Sequence, residues 1–105
     1  MADNRRSSTR HAVSLPATLT IEGAPGAATV LNLSLGGALL GGIKKLPMGS
    51  RVHLEFAVPT DEEAIEIGGT VRWSDGSGVG IQFDGLRARD VWALNKYFEQ
   101  LPALS

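Results

Sequence analysis

The chain contains no cysteine, which excludes disulfides, zinc–thiolate sites and thiol catalysis. No apolar run approaches the length that a membrane-spanning helix needs. The first ten residues, MADNRRSSTR, are polar and lack the apolar stretch of a secretory signal. A soluble, cytoplasmic protein without membrane insertion is therefore expected. A basic excess is also missing: 10 Lys and Arg stand against 11 Asp and Glu, a net charge of -1, where a general DNA or RNA binder carries a clear surplus. Aromatic residues make up only 6%, too few for the stacking platforms of a single-strand binder. There is no nucleophile–base arrangement and no Walker-type loop, so no catalytic residue is assigned and an enzyme is not expected. His11 and His53 have no third ligand near them in sequence, so no metal site is assigned either.

What is present suits one small folded domain. The 105 residues are the length of an ordinary domain. Hydrophobic residues at 43% and charged residues at 20% favour a packed core over disorder. Glycine is the outlier, 13 of 105 against a usual ~7%. Excess glycine without a repeat suggests tight turns between short strands.

The hydrophobic pattern agrees. Val13, Leu15, Ala17, Leu19 and Ile21 alternate with polar residues, the signature of a half-buried strand. Pro16 inside it suggests an edge or a bulge. Gly23-Ala24-Pro25-Gly26 is expected to turn the chain into a second strand, 29–33, which runs into a turn at 34–37. A short third strand is expected at 38–40, ended by Gly41-Gly42, with Lys44, Lys45, Pro47 and Gly49 in the connection. Val52, Leu54, Phe56 and Val58 mark a fourth strand, and Asp61-Glu62-Glu63 a solvated loop. A fifth strand is expected over 65–73, with Gly68-Gly69 as a bulge or a close approach. Ser74-Asp75-Gly76-Ser77 makes a hairpin loop with Asp-Gly chemistry, and a sixth strand covers 79–83. The period then changes. Val91, Leu94, Tyr97, Phe98 and Leu101 stand at helical spacing, Asp84 is the expected N-cap, and Pro102 the stop. Six strands sharing one core close most economically into a barrel, which also removes exposed edges. The expected architecture is mainly β: a flexible N-terminal arm over 1–11, a six-stranded antiparallel barrel over 12–84 and a helix over 85–101.

Two short motifs stand out. Arg6 and Arg10 lie four residues apart in the polar segment Arg6-Ser7-Ser8-Thr9-Arg10, with Arg5 just before them. Residues 1–11 hold these three arginines against Asp3 alone, a local basic arm that suits a small anion better than a long polyanion. One strand later comes Asn32-Leu33-Ser34-Leu35-Gly36-Gly37, with Asn, Ser and Gly at positions one, three and six. Guanidinium forks pair bidentately with phosphate oxygens and with the O6/N7 edge of guanine. Paired guanidiniums beside a polar, Gly-closed turn point to a guanine nucleotide bound on the outside of a small β fold.

In this order and spacing the chain resembles the PilZ domains, bacterial receptors for cyclic di-GMP. The resemblance covers nearly its whole length and includes Gly69-Thr70-Val71-Arg72-Trp73 and Gly78-Val79-Gly80-Ile81-Gln82-Phe83, which look like the late barrel strands of that family. It implies a PilZ-type barrel and a ligand site. Arg6 and Arg10 match the arginine pair that grips phosphates and guanine edges. Asn32 and Ser34 match the polar pair that contacts a guanine and the ligand backbone. Gly37 matches the closing glycine, where a side chain would obstruct the turn or the ligand, and Gly36 assists the same turn. Arg5 occupies a position that resembles the version binding an intercalated pair of cyclic di-GMP molecules, so two ligands per chain are expected. Trp73 is a further candidate contact, and Arg72 a source of extra charge. The function implied is an adaptor: it binds cyclic di-GMP, needs no other cofactor, changes its surface and is read by a separate effector protein. The alternative is a ligand-independent PilZ scaffold for protein–protein interaction.

Overall fold

The computed structural model describes residues 10–60, 62–75 and 77–101. Six strands run in chain order: β1 (His11–Ile21), β2 (Ala24–Leu33), β3 (Gly37–Gly41), β4 (Arg51–Phe56), β5 (Ile65–Asp75) and β6 (Gly78–Phe83). One helix, α1 (Ala88–Phe98), follows. The strands form a closed antiparallel barrel in the order β1-β2-β3-β6-β5-β4. β1 pairs with both β2 and β4, which closes the ring.

The alternating side chains explain the closure. Leu19, Val30, Leu40, Leu54, Ile65, Val71 and Val79 all point into the barrel and are buried, each contributing about 1.5–3 kcal/mol by leaving water. α1 adds Ala93, Leu94 and Tyr97 to the same core. Two contacts hold the helix at the end of the barrel where β4 finishes and β1 begins. The Thr60 hydroxyl donates to the Ala93 carbonyl at 2.8 Å, and the His11 ring stacks on Phe98 with centroids 4.2 Å apart. No helix among the described residues is long and apolar enough to cross a membrane.

Several local expectations are corrected. The first hairpin turns at Glu22-Gly23 alone, with Ile21 paired to Ala24. Both turn residues have positive φ, 52° and 80°, the conformation whose twist matches that of the flanking strands. Pro25 and Gly26 therefore belong to β2. β3 pairs with β2 only from Thr29 onward, so that side of β2 asks for no donor at Pro25. Pro16 pairs with β2 only: the irregularity of β1 lies just before it, between Ala12 and Leu15, and β4 pairs with β1 only from Ala17, which leaves that side of Pro16 unpaired. Gly68-Gly69 is a close approach rather than a bulge: a Cβ on Gly69 would lie 2.6 Å from Ile81 Cγ2 and 2.8 Å from the Gln82 carbonyl oxygen. β4 ends at Phe56, although Val58 is still buried. Asp75 already pairs with Gly78, and its carboxylate accepts the Ser77 N–H at 2.7 Å and hydroxyl at 2.6 Å.

The helix cap is also displaced. Asp84 cannot start α1 because its N–H still donates to the Gly68 carbonyl at 2.9 Å. Its carboxylate pairs with the Arg51 guanidinium at 2.8 and 2.6 Å. α1 begins four residues later, with Arg87 as N-cap and Asp90 as the acidic residue of the first turn. The buried Asp90 carboxylate accepts the Arg87 guanidinium at 3.0 and 3.1 Å and its backbone N–H at 3.4 Å. These bonds, the guanidinium's above all, hold the Asp90 carboxyl below the usual aspartate range. A depressed native value adds stability above the unfolded pKa of about 3.9, and that stability is lost as the pH falls through the native value. Asp90→Asn is expected to cost about 1–2 kcal/mol at neutral pH and to flatten the acid limb of the stability curve. Thermal unfolding across pH checks both, and an acid limb as steep as wild type would contradict this role.

Candidate functional site

In a regular strand, residues two apart share a face, so Asn32 would follow Val30 into the barrel and Trp73 would follow Val71. Two bulges prevent this. On β2, Val30 pairs with Leu40 but Asn32 with Leu39, leaving Leu31 as the extra residue. On β5, Val71 pairs with Ile81 but Trp73 with Gly80, leaving Arg72 as the extra residue. An extra residue reverses the pleat beyond it and re-aims side chains. Val30 and Val71 are therefore buried, Trp73 is 42% exposed, and Asn32 and Arg72 line the outer wall.

Gly37, Ala38 and Leu39 of β3 and Gly80, Ile81 and Gln82 of β6 line the same space between them. The result is an open pocket of about 480 Å³ across β2, β3, β6 and β5. Arg10 stands at its rim, immediately before β1. Arg10 and Arg72 give it positive charge, and no carboxylate lines it among the described residues. Asn32 Oδ1 is buried and accepts no hydrogen bond from the described protein. Burying an acceptor without a donor is costly, so the site favours a ligand that presents an N–H.

The turn between β2 and β3 shapes one wall. Ser34 is buried, and its hydroxyl oxygen accepts the N–H groups of Gly36 and Gly37, both at 3.1 Å. Its own N–H donates to the Gly37 carbonyl at 2.9 Å. The Ser34 side chain thus staples the turn from within. A Cβ on Gly37 would overlap the Ile81 carbonyl oxygen, so what glycine spares at this position is the adjacent strand. Gly36 has only Ser34 Oγ near its missing Cβ, at 3.9 Å.

Of the residues singled out from sequence, Arg10, Asn32, Ser34, Gly36, Gly37, Arg72 and Trp73 all line this pocket. Arg5 and Arg6 lie outside the described residues. Leu39, Gly80 and Gln82 line it too and were not singled out. The Gly78-x-Gly80 spacing on β6 was the available signal, since small residues on a strand mark close approach. The two histidines stand apart: His11 is buried on Phe98, and His53 lies 3.4 Å from Glu66 on the outside of β4 and β5.

Comparison with known proteins bears on this geometry. The family model described as the PilZ domain matches residues 4–100. Among solved structures, the Bacillus subtilis inhibitor of motility (MotI/DgrA) superposes with a TM-score of 0.74 at 22% identity. The match covers 91% of this chain and 50% of that one, so this chain spans about half the length of that protein. At that identity the likeness is one of fold. No curated protein matches the chain.

Proposed function

The chain belongs to the PilZ domain family, and from that membership we propose that it is a cyclic di-GMP receptor that acts by binding rather than by chemistry. The observation that carries this reading is the buried, unpartnered Asn32 Oδ1 in a pocket flanked by Arg10 and Arg72. Guanine offers N1–H and N2–H to such an acceptor, and phosphate offers oxygens to guanidinium forks. Arg6 and Arg10 grip phosphates and guanine edges, Asn32 accepts from a guanine, and Arg72 and Trp73 border the same site. Ser34, Gly36 and Gly37 hold the turn that forms its wall. Among the described lining residues only guanidinium, amide, hydroxyl and indole groups are polar. None is a carboxylate, imidazole or amine suited to moving a proton.

Binding then works through charge. Arg5, Arg6 and Arg10 repel one another, and the ligand's two phosphates neutralise them. Charge-assisted hydrogen bonds to those phosphates, about 1.5–3 kcal/mol apiece, supply the binding energy. The neutralised, re-shaped surface is what a partner protein reads. Arg5 supplies the additional fork that a second, intercalated ligand requires.

Amide chemical shifts recorded while cyclic di-GMP is added test the site. The reading expects changes concentrated at residues 32–39, at Arg72 and Trp73, and at 80–82. Changes confined to β4 or to the solvent side of α1 would overturn it. The same titration is expected to saturate at two ligands per chain, and at one in Arg5→Ala. An unchanged stoichiometry would remove Arg5 from the site.

A further inference from the structure

A tryptophan on the outside of a barrel has nothing in the core to hold its ring. Trp73 is 42% exposed, yet it has a defined seat on the neighbouring strand. The register sets Trp73 opposite Gly80. A Cβ on Gly80 would overlap the indole nitrogen and lie 2.6 and 2.8 Å from Cε2 and Cδ1, the two ring carbons bonded to it. These three nearest atoms all belong to Trp73. Gly80 is not among the glycines with positive φ, so its backbone conformation makes no demand for glycine. The demand comes from the indole. Gly37 differs, because its missing Cβ would meet the backbone of β6. Gly78 differs as well, because a Cβ there would come within 2.8 Å of the Leu40 carbonyl oxygen.

We propose that Gly80 is a positioning residue of the pocket: by lacking a side chain it seats the Trp73 indole against β6 and so sets the plane on which a guanine of the bound dinucleotide stacks. The proposal rests on the receptor reading above. A methyl group at position 80 forces the indole off its seat, either into the pocket volume or out into solvent. The three atoms nearest the added carbon belong to a side chain that can rotate and not to the backbone of a neighbouring strand. Affinity falls through Trp73 while the barrel stays closed.

The chain has 2 tryptophans, and the other, Trp92, is 58% exposed on α1 and does not line the pocket. A Trp92→Phe background therefore makes Trp73 the sole indole emitter. In that background and without ligand, Gly80→Ala is expected to shift Trp73 emission and to change its quenching by acrylamide. Unchanged emission and quenching would overturn the seat. Cyclic di-GMP affinity is then compared among the parent, Gly80→Ala, Trp73→Ala and the double variant. Gly80→Ala is expected to weaken binding about tenfold, with no further loss once Trp73 is already alanine. The same loss in both backgrounds would show that Gly80 acts through the strand and not through the indole. If Gly80→Ala fails to fold, the double variant is expected to fold again, and an unfolded double variant would overturn the proposal. Absence of binding by the parent would sink the receptor reading and the stacking with it, while the ligand-free emission still decides the seat by itself.

Discussion

Replacing Arg6 and Arg10 together with alanine is expected to weaken cyclic di-GMP binding by about a hundredfold or more. In the proposed site each guanidinium would contribute at least one charge-assisted hydrogen bond to a phosphate or a guanine edge, about 1.5–3 kcal/mol apiece. Two such losses amount to about 3–6 kcal/mol, and every 1.4 kcal/mol is about tenfold in affinity. Each single variant should lose about tenfold or more. The fold should survive, because Arg10 is exposed at the start of β1 and belongs to no buried cluster. Salt sharpens the test: wild-type affinity should fall as ionic strength rises, and the residual binding of the double variant should fall less steeply. Titration at two salt concentrations measures both effects. Affinity within a factor of about two of wild type would remove the arginine pair from the site.

The second large effect concerns folding. Gly37 and Gly36 are neighbours in one turn, and they should respond oppositely to the same added methyl group. On Gly37 that carbon overlaps the Ile81 carbonyl oxygen and lies 3.3 Å from its carbonyl carbon. The oxygen is backbone and cannot swing aside, so β3 and β6 must separate where Gly37 pairs with Gln82. Gly37→Ala is expected to cost about 2–4 kcal/mol, or roughly 10–25 °C in unfolding midpoint for a chain of this length. On Gly36 the nearest atom is Ser34 Oγ at 3.9 Å, an ordinary contact. Gly36→Ala should unfold within about 0.5 kcal/mol of wild type. Ligand-free thermal unfolding separates the two variants. Equal midpoints would mean that β3 and β6 do not approach as closely as described.

Much of the barrel was legible because the apolar period is strict. Val52, Leu54 and Phe56 on β4, and Ile65, Ile67 and Val71 on β5, are all buried, as alternation requires. The switch to helical spacing placed Leu94 and Tyr97 in the core. Alternation loses its meaning where the pleat reverses. At Val30, Leu31 and Leu33 the apolar residues fall on both phases, and only pairing with β3 shows that Leu31 is the extra residue. At Arg72 nothing in the local sequence marks the bulge, because its cause is the register against β6. These two bulges are what bring Asn32 and Trp73 to the outer wall. The pocket's residues could therefore be named from a motif, but the geometry that assembles them could not be counted out. The cap failed for a related reason. The N-cap is Arg87, a residue type with no capping signal, and its partner is Asp90 three residues on; what rules out Asp84 is a distant group, the Gly68 carbonyl that keeps it in the barrel. Ser34 shows the same limit on a smaller scale. Its place in the motif was legible, but the use of its hydroxyl on Gly36 and Gly37 was not.

A receptor built as proposed holds cyclic di-GMP in the outer-wall pocket through the basic arm and Asn32. Calorimetric titration of the dinucleotide into the folded wild-type chain, alongside the Arg6→Ala/Arg10→Ala variant, tests it most directly. Saturable, salt-sensitive binding to wild type that is lost in the variant is expected. A folded wild-type protein that gives no binding heat and no retention of labelled cyclic di-GMP would contradict it.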